Sequence, residues 1–336
     1  MDGPIGEISV TERDFMGRGE AAKASVTYGE YARGFELAFT EPYILDTRAS
    51  LGIDLFGRQT DANSYQSFGT TTIGGKLILG LPMTDQIGTQ WNYALYRQSV
   101  TLDLIGSPTT PPIREAAAAG PTGVSSIGSG VTYSTLDNNR NPTSGWRLGV
   151  NEEVAGFGGD AKFAKTTQDA RYYYPLADGV TGMVRAQSGY VTPWGGQSLP
   201  LLSGVFGGPW LVRGFASNGI GPRDVTPATT MDNLGGNIYW GTSTEVQSAV
   251  PFVPSDAGLK AAFFADAGSL WRTGSAGSSP ALSQSLVSNG QTVRSSFGAG
   301  LVWDSILGPI RVDYAYPTTK AATDIIQRLR FSAGGF

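Results

Sequence analysis

The sequence predicts an all-β protein, a transmembrane antiparallel β-barrel of about fifteen strands. Three observations lead to this fold class: the composition, an alternation of apolar and polar residues, and connections that alternate between short and long. The chain has 336 residues with 47 glycines, 11% aromatic and only 15% charged residues, a balance that suits strands and tight turns better than helices. No run approaches the roughly 18 apolar residues that a membrane-spanning helix requires.

Alternation with a period of two marks the individual strands. The segments 71–81, 87–97, 295–304 and 310–316 each place apolar side chains on one face and polar residues or glycine on the other. A soluble β-sandwich also alternates, but long strands with a polar, partly charged second face favour a barrel in a membrane. Aromatic residues that could form a girdle at the membrane interface cluster near strand ends: Tyr172, Tyr173, Tyr174, Trp240, Trp303 and Tyr316.

The connections between these strands fall into two classes. Tight turns are predicted near residues 16–19, 43–48, 82–85, 141–145, 176–179, 251–258 and 304–309. Longer loops are predicted at 29–33, 57–68, 99–127, 156–160, 190–236, 272–292 and 317–323. Short turns at the periplasmic end and longer loops at the outside end are typical of outer-membrane barrels.

Fourteen connections give fifteen strands, and an odd number is unusual because bacterial single-chain barrels normally have an even count. Tracing back from a C-terminus at the periplasmic end places residue 1 at the outside end of its strand. We therefore expect that a native first strand, with whatever comes before it, is absent from this chain.

Composition also excludes several classes of function. Histidine is absent, which removes the common general base, the common metal ligand and the Ser–His nucleophile pair. Cysteine is absent too, which excludes disulfides and thiolate metal sites. Catalysis by carboxylates alone stays open, but no motif pairs them, so we predict no enzyme and no cofactor or metal. The net charge of −4 gives no basic surface for nucleic acid.

The long loop, residues 191–236, contains the most informative motif. Val212, Arg213, Gly214 and Phe215, hereafter the loop signature, lie among glycines and apolar residues that surround a single cation. A connection this long within a regular β-pattern is usually functional or disordered. Because a solvated loop would not need so many apolar groups, we expect it to pack into something.

The loop signature resembles that of the Omp85 superfamily, outer-membrane barrels that insert or export proteins. Further motifs, in family order, resemble the BamA family within it: 36–43 (ELAFTEPY), 141–146 (NPTSGW), 263–271 (FFADAGSLW) and 307–315 (LGPIRVDYA). The resemblance covers nearly the whole chain. It implies that residues 1–336 are one barrel domain of a sixteen-stranded family, whose POTRA domains and first strand are absent here.

The resemblance also implies a role for Arg213, because the loop arginine of this superfamily reaches into the barrel and meets acidic residues on the wall. Strand parity independently turns Glu245 inward on 238–247 and Asp266 inward on 259–266. Two inward carboxylates on adjacent strands match the forked donors of one guanidinium. The alternative is that both are ordinary solvated charges of the lumen.

The last predicted strand, 325–336, resembles the C-terminal signal of outer-membrane proteins, which end in an aromatic residue. Leu329 and Phe331 share a face, and Phe336 joins that phase only if Gly334 and its neighbour form a bulge. In the superfamily this strand meets the first one along a weak lateral seam that opens for client strands. Unpaired N–H and C=O groups at such an edge template strand addition.

We therefore expect an outer-membrane assembly factor of Gram-negative bacteria that folds and inserts β-barrel proteins through this seam. The partners implied are nascent outer-membrane β-barrel proteins, outer-membrane lipid and, in the full-length protein, assembly-machine lipoproteins bound through POTRA domains. A TamA-like or two-partner-secretion translocator of the same superfamily is the main alternative. A passive porin-type channel is a further one, although it leaves Arg213 unexplained.

Overall fold

The fold is that of a computed structural model, which describes residues 5–17, 19–63, 65–102, 109–227, 229–251, 253–254, 257–277, 279–285, 287–305 and 308–333. Across these residues, no helix has both the length and the apolar character needed to cross a membrane.

Fifteen strands form one antiparallel sheet, in which each strand pairs with the next one along the chain. They are β1 (Ile5–Phe15), β2 (Glu20–Gly29), β3 (Ala32–Glu41), β4 (Ser50–Thr60), β5 (Phe68–Pro82), β6 (Ile87–Leu102), β7 (Thr122–Ser134), β8 (Gly145–Ala155), β9 (Phe163–Ala177), β10 (Val180–Pro193), β12 (Ile238–Ala249), β13 (Leu259–Trp271), β15 (Arg294–Ser305), β16 (Gly308–Thr319) and β17 (Leu329–Ala333). Two short strands, β11 (Arg223–Asp224) and β14 (Val287–Ser288), pair with each other outside this sheet. The predicted fold class is confirmed.

The two faces of the sheet differ as the period-two pattern predicts. On β13, Phe263 is 62% exposed, whereas its neighbour Phe264 on the other face is 5% exposed. The same contrast runs along β15, where Phe297 and Leu301 are exposed and Ser296 is buried. Apolar side chains on the outer face meet lipid hydrocarbon, so the membrane replaces the core that a soluble sheet would need.

Two connections differ from the prediction. Strands β2 and β3 extend until only residues 30 and 31 separate them, so the longer loop predicted at 29–33 is wrong. The loop predicted at 99–127 contains a helix, α1 (Pro111–Ala118), which contacts a second short helix, α2 (Pro280–Gln284). Proline in the first turn and a run of alanine favour the helix α1, a signal that the strand pattern masked.

The last strand begins later than predicted. The prediction was 325–336, but β17 is Leu329–Ala333. Residues 325–327 leave the ladder with β16 because their backbone groups bond to the long loop instead. Gly334 and Phe336, with the bulge predicted there, lie outside the described residues.

The sheet begins with β1 and ends with β17, and no ladder joins these two strands among the residues that the structure describes. Fifteen antiparallel strands put the first and the last in the same direction, so they cannot pair as antiparallel neighbours. The ladder between β16 and β17 runs over five residue pairs, from Ile310–Ala333 to Tyr314–Leu329. The ends of the sheet are therefore its least paired part.

The apolar core lies between the long loop and the inner face of the sheet. Val212, Phe215 and Ile220 of the loop are fully buried and pack against Tyr239 of β12 and Leu270 of β13. The loop also contributes Leu199 and Leu234 to two further buried clusters. The loop thus supplies the core that most β-barrel walls build from their own side chains.

The turn between β7 and β8 generates a test of the local structure. Asp137 accepts hydrogen bonds from the hydroxyl of Thr143 at 2.5 Å and from the amides of Thr143 and Ser144 at 2.9 and 3.1 Å. These bonds favour the charged form and lower the pKa of Asp137 from 3.8 to about 2, with the Thr143 hydroxyl as the largest cause. The turn is therefore stabilised above the ordinary carboxyl pKa and loses that stabilisation as the pH falls through about 2.

We expect Thr143→Val to raise the pKa of Asp137 towards its ordinary value, because the mutation removes the strongest donor. A carboxyl-selective NMR titration measures this shift. Thr84→Val, in another turn at the same end of the barrel, serves as the control and should leave the titration of Asp137 unchanged. A wild-type Asp137 that titrates at the ordinary value contradicts the assigned hydrogen bonds.

Candidate functional site

The side chain of Arg213 reaches the inner wall and is bound there by Asp266 of β13. Its Nε and Nη2 each donate to one carboxylate oxygen at 2.7 Å, and the backbone amide of Arg213 donates to the same carboxylate at 3.0 Å. A bidentate pair of this kind fixes orientation as well as contributing attraction. Because one residue supplies both side-chain and backbone donors, the path of the loop is fixed together with the guanidinium.

Glu245 of β12 is the second acceptor and is shared between two arginines. Arg213 Nη1 donates to Glu245 Oε2 at 2.5 Å, while Arg311 of β16 donates to both Glu245 oxygens at 2.8 and 3.0 Å. Arg311 Nε in turn donates to Asp313 at 2.7 Å. Arg213, Arg311, Glu245, Asp266 and Asp313, hereafter the lumen network, join two guanidinium groups to three carboxylates in a largely buried place.

Strand register explains why the two carboxylates meet one guanidinium. Ser243 of β12 lies directly opposite Asp266 of β13, and Glu245 lies opposite Phe264. The Ser243 hydroxyl donates to Asp266 at 2.7 Å and accepts from Arg213 Nη2 at 2.9 Å. The ring of Phe264 lies 3.5 Å from the guanidinium carbon, a cation–π contact that covers its face. Four hydrogen bonds and one ring contact therefore surround the guanidinium with partners of suitable chemistry.

Arg311 on β16 reaches Glu245 on β12 across β13 and β15. Glycine at two inward positions of β15 leaves room for this contact. A Cβ at Gly298 would lie 2.5 Å from the Phe264 ring and would also meet the carbonyl oxygen of Tyr314. A Cβ at Gly300 would meet the carboxylate of Asp313. The side chains of Phe264 on β13 and Asp313 on β16 occupy this space, so they cover the inner face of β15.

A second pair of glycines receives the loop itself. Gly241 of β12 lies directly opposite Gly268 of β13. A Cβ at Gly241 would lie 2.7 Å from Leu211, and one at Gly268 would lie 3.1 Å from Val212. The apolar residues before Arg213 therefore sit in a recess that only glycine leaves open.

The other signature residues also have defined positions. Gly214 has a φ of +93°, and a Cβ there would lie 3.1 and 3.2 Å from Pro317 and Ala315 of β16, so both backbone conformation and space favour glycine. Phe215 follows it into the buried cluster under the loop. Each signature residue thus has its own environment. Val212 lies in the glycine recess, Arg213 forms ion pairs, Gly214 approaches β16 closely, and Phe215 packs in an apolar cluster.

The structure brings together Arg213, Glu245 and Asp266, as parity and resemblance predicted. It leaves Leu329 and Phe331 elsewhere, on the exposed outer face of β17, and Gly334 and Phe336 outside the described part of the chain. Sequence reasoning missed Arg311 and Asp313 as members of the network. The signal was present, because both lie at inward positions of 310–316, but nothing in the sequence shows which strand they reach.

The lumen network fixes the long loop to the barrel wall through ion pairs, and we call these ion pairs of Arg213 the clamp. Each of its carboxylates already accepts hydrogen bonds from a guanidinium, and Glu245 accepts a further one from Gln247 at 2.7 Å. Within the described residues, no group of three or more histidine, cysteine, aspartate or glutamate side chains is placed to hold a metal ion. The arrangement can hold the long loop against β12, β13 and β16, and it can release the loop if the ion pairs separate.

The chain is similar to known proteins over nearly its whole length. The Omp85 superfamily domain matches residues 14–336. The outer membrane protein assembly factor BamA of Neisseria meningitidis serogroup B is 27% identical over 360 residues, covering 99% of this chain and 45% of that protein. The sorting and assembly machinery component 50 homolog A of Xenopus laevis is 26% identical over 333 residues, covering 96% of this chain and 67% of that protein.

A solved structure has the same fold. BamA from Haemophilus ducreyi lacking POTRA domains 1–3 superposes with a TM-score of 0.79 at 21% identity, covering 97% of this chain and 66% of that one. The chain spans less than half the length of the bacterial relatives that it matches, 45% and 42% for two BamA proteins.

The clamp predicts a specific effect of Arg213→Ala. Breaking a buried pair by removing one partner typically costs about 3–5 kcal/mol, which corresponds to at least about a hundredfold change in an opening equilibrium. We expect the amides of Val212 and Ile220, bonded to Gly208 and Gly207 in the folded loop, to exchange at least about a hundredfold faster. Hydrogen exchange on the protein in detergent measures this effect.

Arg185→Ala is the matched control, because Arg185 pairs with Asp169 in the lumen with both side chains about 30% exposed. Such pairs contribute about 1 kcal/mol or less, so loop exchange should stay near the wild-type rate. Wild-type protection of the loop in Arg213→Ala contradicts the clamp.

The close packing over Gly298 of β15 predicts that Gly298→Ala lowers the free energy of unfolding of the barrel. The added Cβ meets the backbone of Tyr314 and the ring of Phe264, and overpacking of this kind costs roughly 1–3 kcal/mol. Gly88→Ala on β6, where nothing lies within 4 Å of the added Cβ, is the control. Unfolding by denaturant in lipid vesicles compares the two, and equal stability contradicts the close approach of β13, β15 and β16.

Proposed function

The chain belongs to the Omp85 superfamily, and we propose that it is the barrel of an outer-membrane assembly factor, which folds and inserts β-barrel proteins through a seam between its first and last strands. The observation that carries the proposal is the short ladder of the last strand: among the described residues, β17 pairs only with β16, over five residue pairs from Ile310–Ala333 to Tyr314–Leu329. The action is an exchange of backbone hydrogen bonds, without a covalent step.

An open strand edge is a template for another strand. Its N–H and C=O groups have no partner in the sheet, and each unsatisfied group costs several kcal/mol in hydrocarbon. A client strand that adds there satisfies both its own groups and those of the edge. The outward side chains of the last strand, such as Leu329 and Phe331, are apolar and exposed, so a client strand beside them would already face lipid.

The interior supports an assembly factor over a passive channel. The long loop places Val212, Phe215, Ile220 and Leu234 in fully buried positions inside the barrel. An open aqueous pore needs a polar lumen, whereas this lumen holds an apolar core. A channel also has no need for a guanidinium clamped by two carboxylates.

The relatives suggest partners of one kind. Proteins named for outer-membrane assembly in bacteria and for sorting and assembly machinery in animals match over nearly the whole chain. We propose that the clients here are nascent outer-membrane β-barrel proteins, that the barrel sits in the bacterial outer membrane, and that lipoproteins of the assembly machine act through POTRA domains of the full-length protein.

Reconstitution tests the function. Vesicles that contain the full-length protein should accelerate the folding of an added, urea-unfolded outer-membrane barrel, read as its mobility shift on a gel without heating. Vesicles with an unrelated porin are the control. Equal folding rates in the two preparations contradict the proposal.

Disulfide capture tests the seam. The chain has no cysteine, so a client with one cysteine in its last strand reports a single contact. Phe331→Cys lies on the outer face of the edge strand β17, and Ile73→Cys lies on the outer face of the central strand β5, with exposures of 67% and 55% in the unmodified residues. We expect capture at residue 331 and none at residue 73, where both strand edges are already paired.

A further inference from the structure

A cavity of about 280 Å³ lies between the helices α1 and α2 and the long loop. Its wall combines residues from the end of β6, from both helices, from the loop and from the position directly after β13. These segments belong to three of the longer connections, so the cavity lies at the end of the barrel that carries them. Pockets for drug-sized ligands usually have about 300–1,000 Å³, so this cavity suits a smaller organic molecule.

One side of the cavity is apolar. Val100 of β6 and Leu234 of the long loop are buried core residues, and Leu201, Leu202 and Leu282 pack against them. All five side chains line the cavity. An apolar group that enters the cavity therefore loses its contact with water against an existing part of the core, which is favourable.

The polar side of the cavity contains a guanidinium without a carboxylate partner. Among the described residues, Arg272 makes one side-chain hydrogen bond, from Nη2 to the carbonyl of Ala276 at 3.4 Å, and its buried Nε has no partner. The backbone of Arg272 is fixed by Asn289, whose side chain accepts from its amide at 2.7 Å and donates to its carbonyl at 2.6 Å. The cation is therefore held at the cavity with most of its donors unused.

Other buried arginines of the barrel have closer partners. Arg213 is held by the clamp, Arg294 of β15 pairs with Asp324 through two hydrogen bonds of 3.0 Å, and Arg223 donates to two backbone carbonyls at 2.7 and 3.0 Å. At Arg272, burial lowers the pKa and no carboxylate opposes this effect. Because a charge that loses water without a counter-charge is costly, a bound anion would relieve this cost.

Glu115 of α1 limits the charge that the cavity accepts. Its carboxylate lines the cavity and accepts a hydrogen bond from the Ser279 hydroxyl at the start of α2, and it forms no hydrogen bond with Arg272. One negative charge on a ligand balances Arg272. A dianion such as a phosphate monoester brings a second negative charge, which Glu115 repels.

We propose that this cavity binds a small organic monocarboxylate, with its carboxylate on the guanidinium of Arg272 and its apolar body against Val100 and Leu234. A guanidinium and a carboxylate match as a bidentate pair. The bound molecule joins α1, the long loop and the segment after β13, so it stabilises the core that the loop supplies. The cavity shares no residue with the lumen network or the last strand, and the inference is therefore independent of the proposed function.

Titration calorimetry with benzoate tests the site. We expect the protein in detergent to bind benzoate, and Arg272→Gln to weaken this binding at least about tenfold, because a charge-assisted pair is lost. Arg114→Gln is the matched control, since it removes an exposed cation from the same helix α1 and should leave the affinity unchanged. One detergent in all titrations cancels the partition of benzoate into micelles. Absence of saturable binding, or equal affinity in Arg272→Gln and the wild type, overturns the proposal.

A neutral analogue and a second variant separate the charge from the cavity. Benzyl alcohol has nearly the same shape as benzoate and should bind at least about tenfold more weakly. Ala116→Leu fills the cavity from α1 and leaves Arg272 in place, so it should abolish benzoate binding, and it decides the site if Arg272→Gln does not fold. Equal affinities for the two molecules, or unchanged benzoate binding in Ala116→Leu, contradict the assigned site.

Hydrogen exchange locates the bound molecule. The amides of Ala119 and Gly120 donate to carbonyls of Glu115 and Ala117 at the end of α1, beside the cavity. Benzoate at ten times its Kd should slow their exchange about tenfold, because the ligand binds only the folded helix. The amide of Asp137, in the turn between β7 and β8 at the other end of the barrel, should exchange at its usual rate. Equal slowing at Asp137, or none at α1, overturns this location.

Discussion

The ion pairs of Arg213 are the constraint on which the rest of the interior depends. A guanidinium inside a barrel loses its water, and the effective penalty is several kcal/mol unless carboxylates replace that water with good geometry. Asp266 and Glu245 provide this, and they lie on adjacent strands at inward positions. A slip of one residue in either strand would turn a carboxylate to the lipid, so the clamp and the register of the wall require each other.

Glycine is the second requirement of the same interior. A wall with ordinary side chains at Gly241, Gly268, Gly298 and Gly300 would fill the space that Leu211, Val212, Phe264 and Asp313 occupy. By leaving these positions empty, the wall lets the long loop supply the core. A core carried on a loop differs from one built into strands, because it is attached through one segment and a small number of ion pairs. The interior is therefore the part of the barrel that is best suited to rearrangement.

Hydrogen bonding is distributed unevenly around the sheet. Central strands such as β5 and β6 share long ladders, from Phe68–Leu102 to Pro82–Gly88, whereas the described part of the chain gives five residue pairs between β17 and β16. The segment before β17, residues 325–327, bonds to the long loop instead of to β16. In a membrane, backbone N–H and C=O groups must find partners, and this need links the loop, the last strand and the proposed addition of client strands in one region of the molecule.

The sequence by itself determined the fold class, the fifteen strands, the faces of the strands with regular alternation, and the inward direction of Glu245 and Asp266. These are local properties, since a period of two places each side chain relative to its immediate neighbours. It did not determine that Arg311 shares Glu245, that Gly241 and Gly268 form a recess, or that the last strand starts at Leu329 instead of residue 325. Each of these depends on which distant segments approach one another. Backbone hydrogen bonds form with any residue type, so the sequence of residues 325–327 does not show whether they pair with β16 or with the loop. The tertiary structure made that choice, because the buried ion pairs of Arg213 and Arg294 fix the two segments side by side.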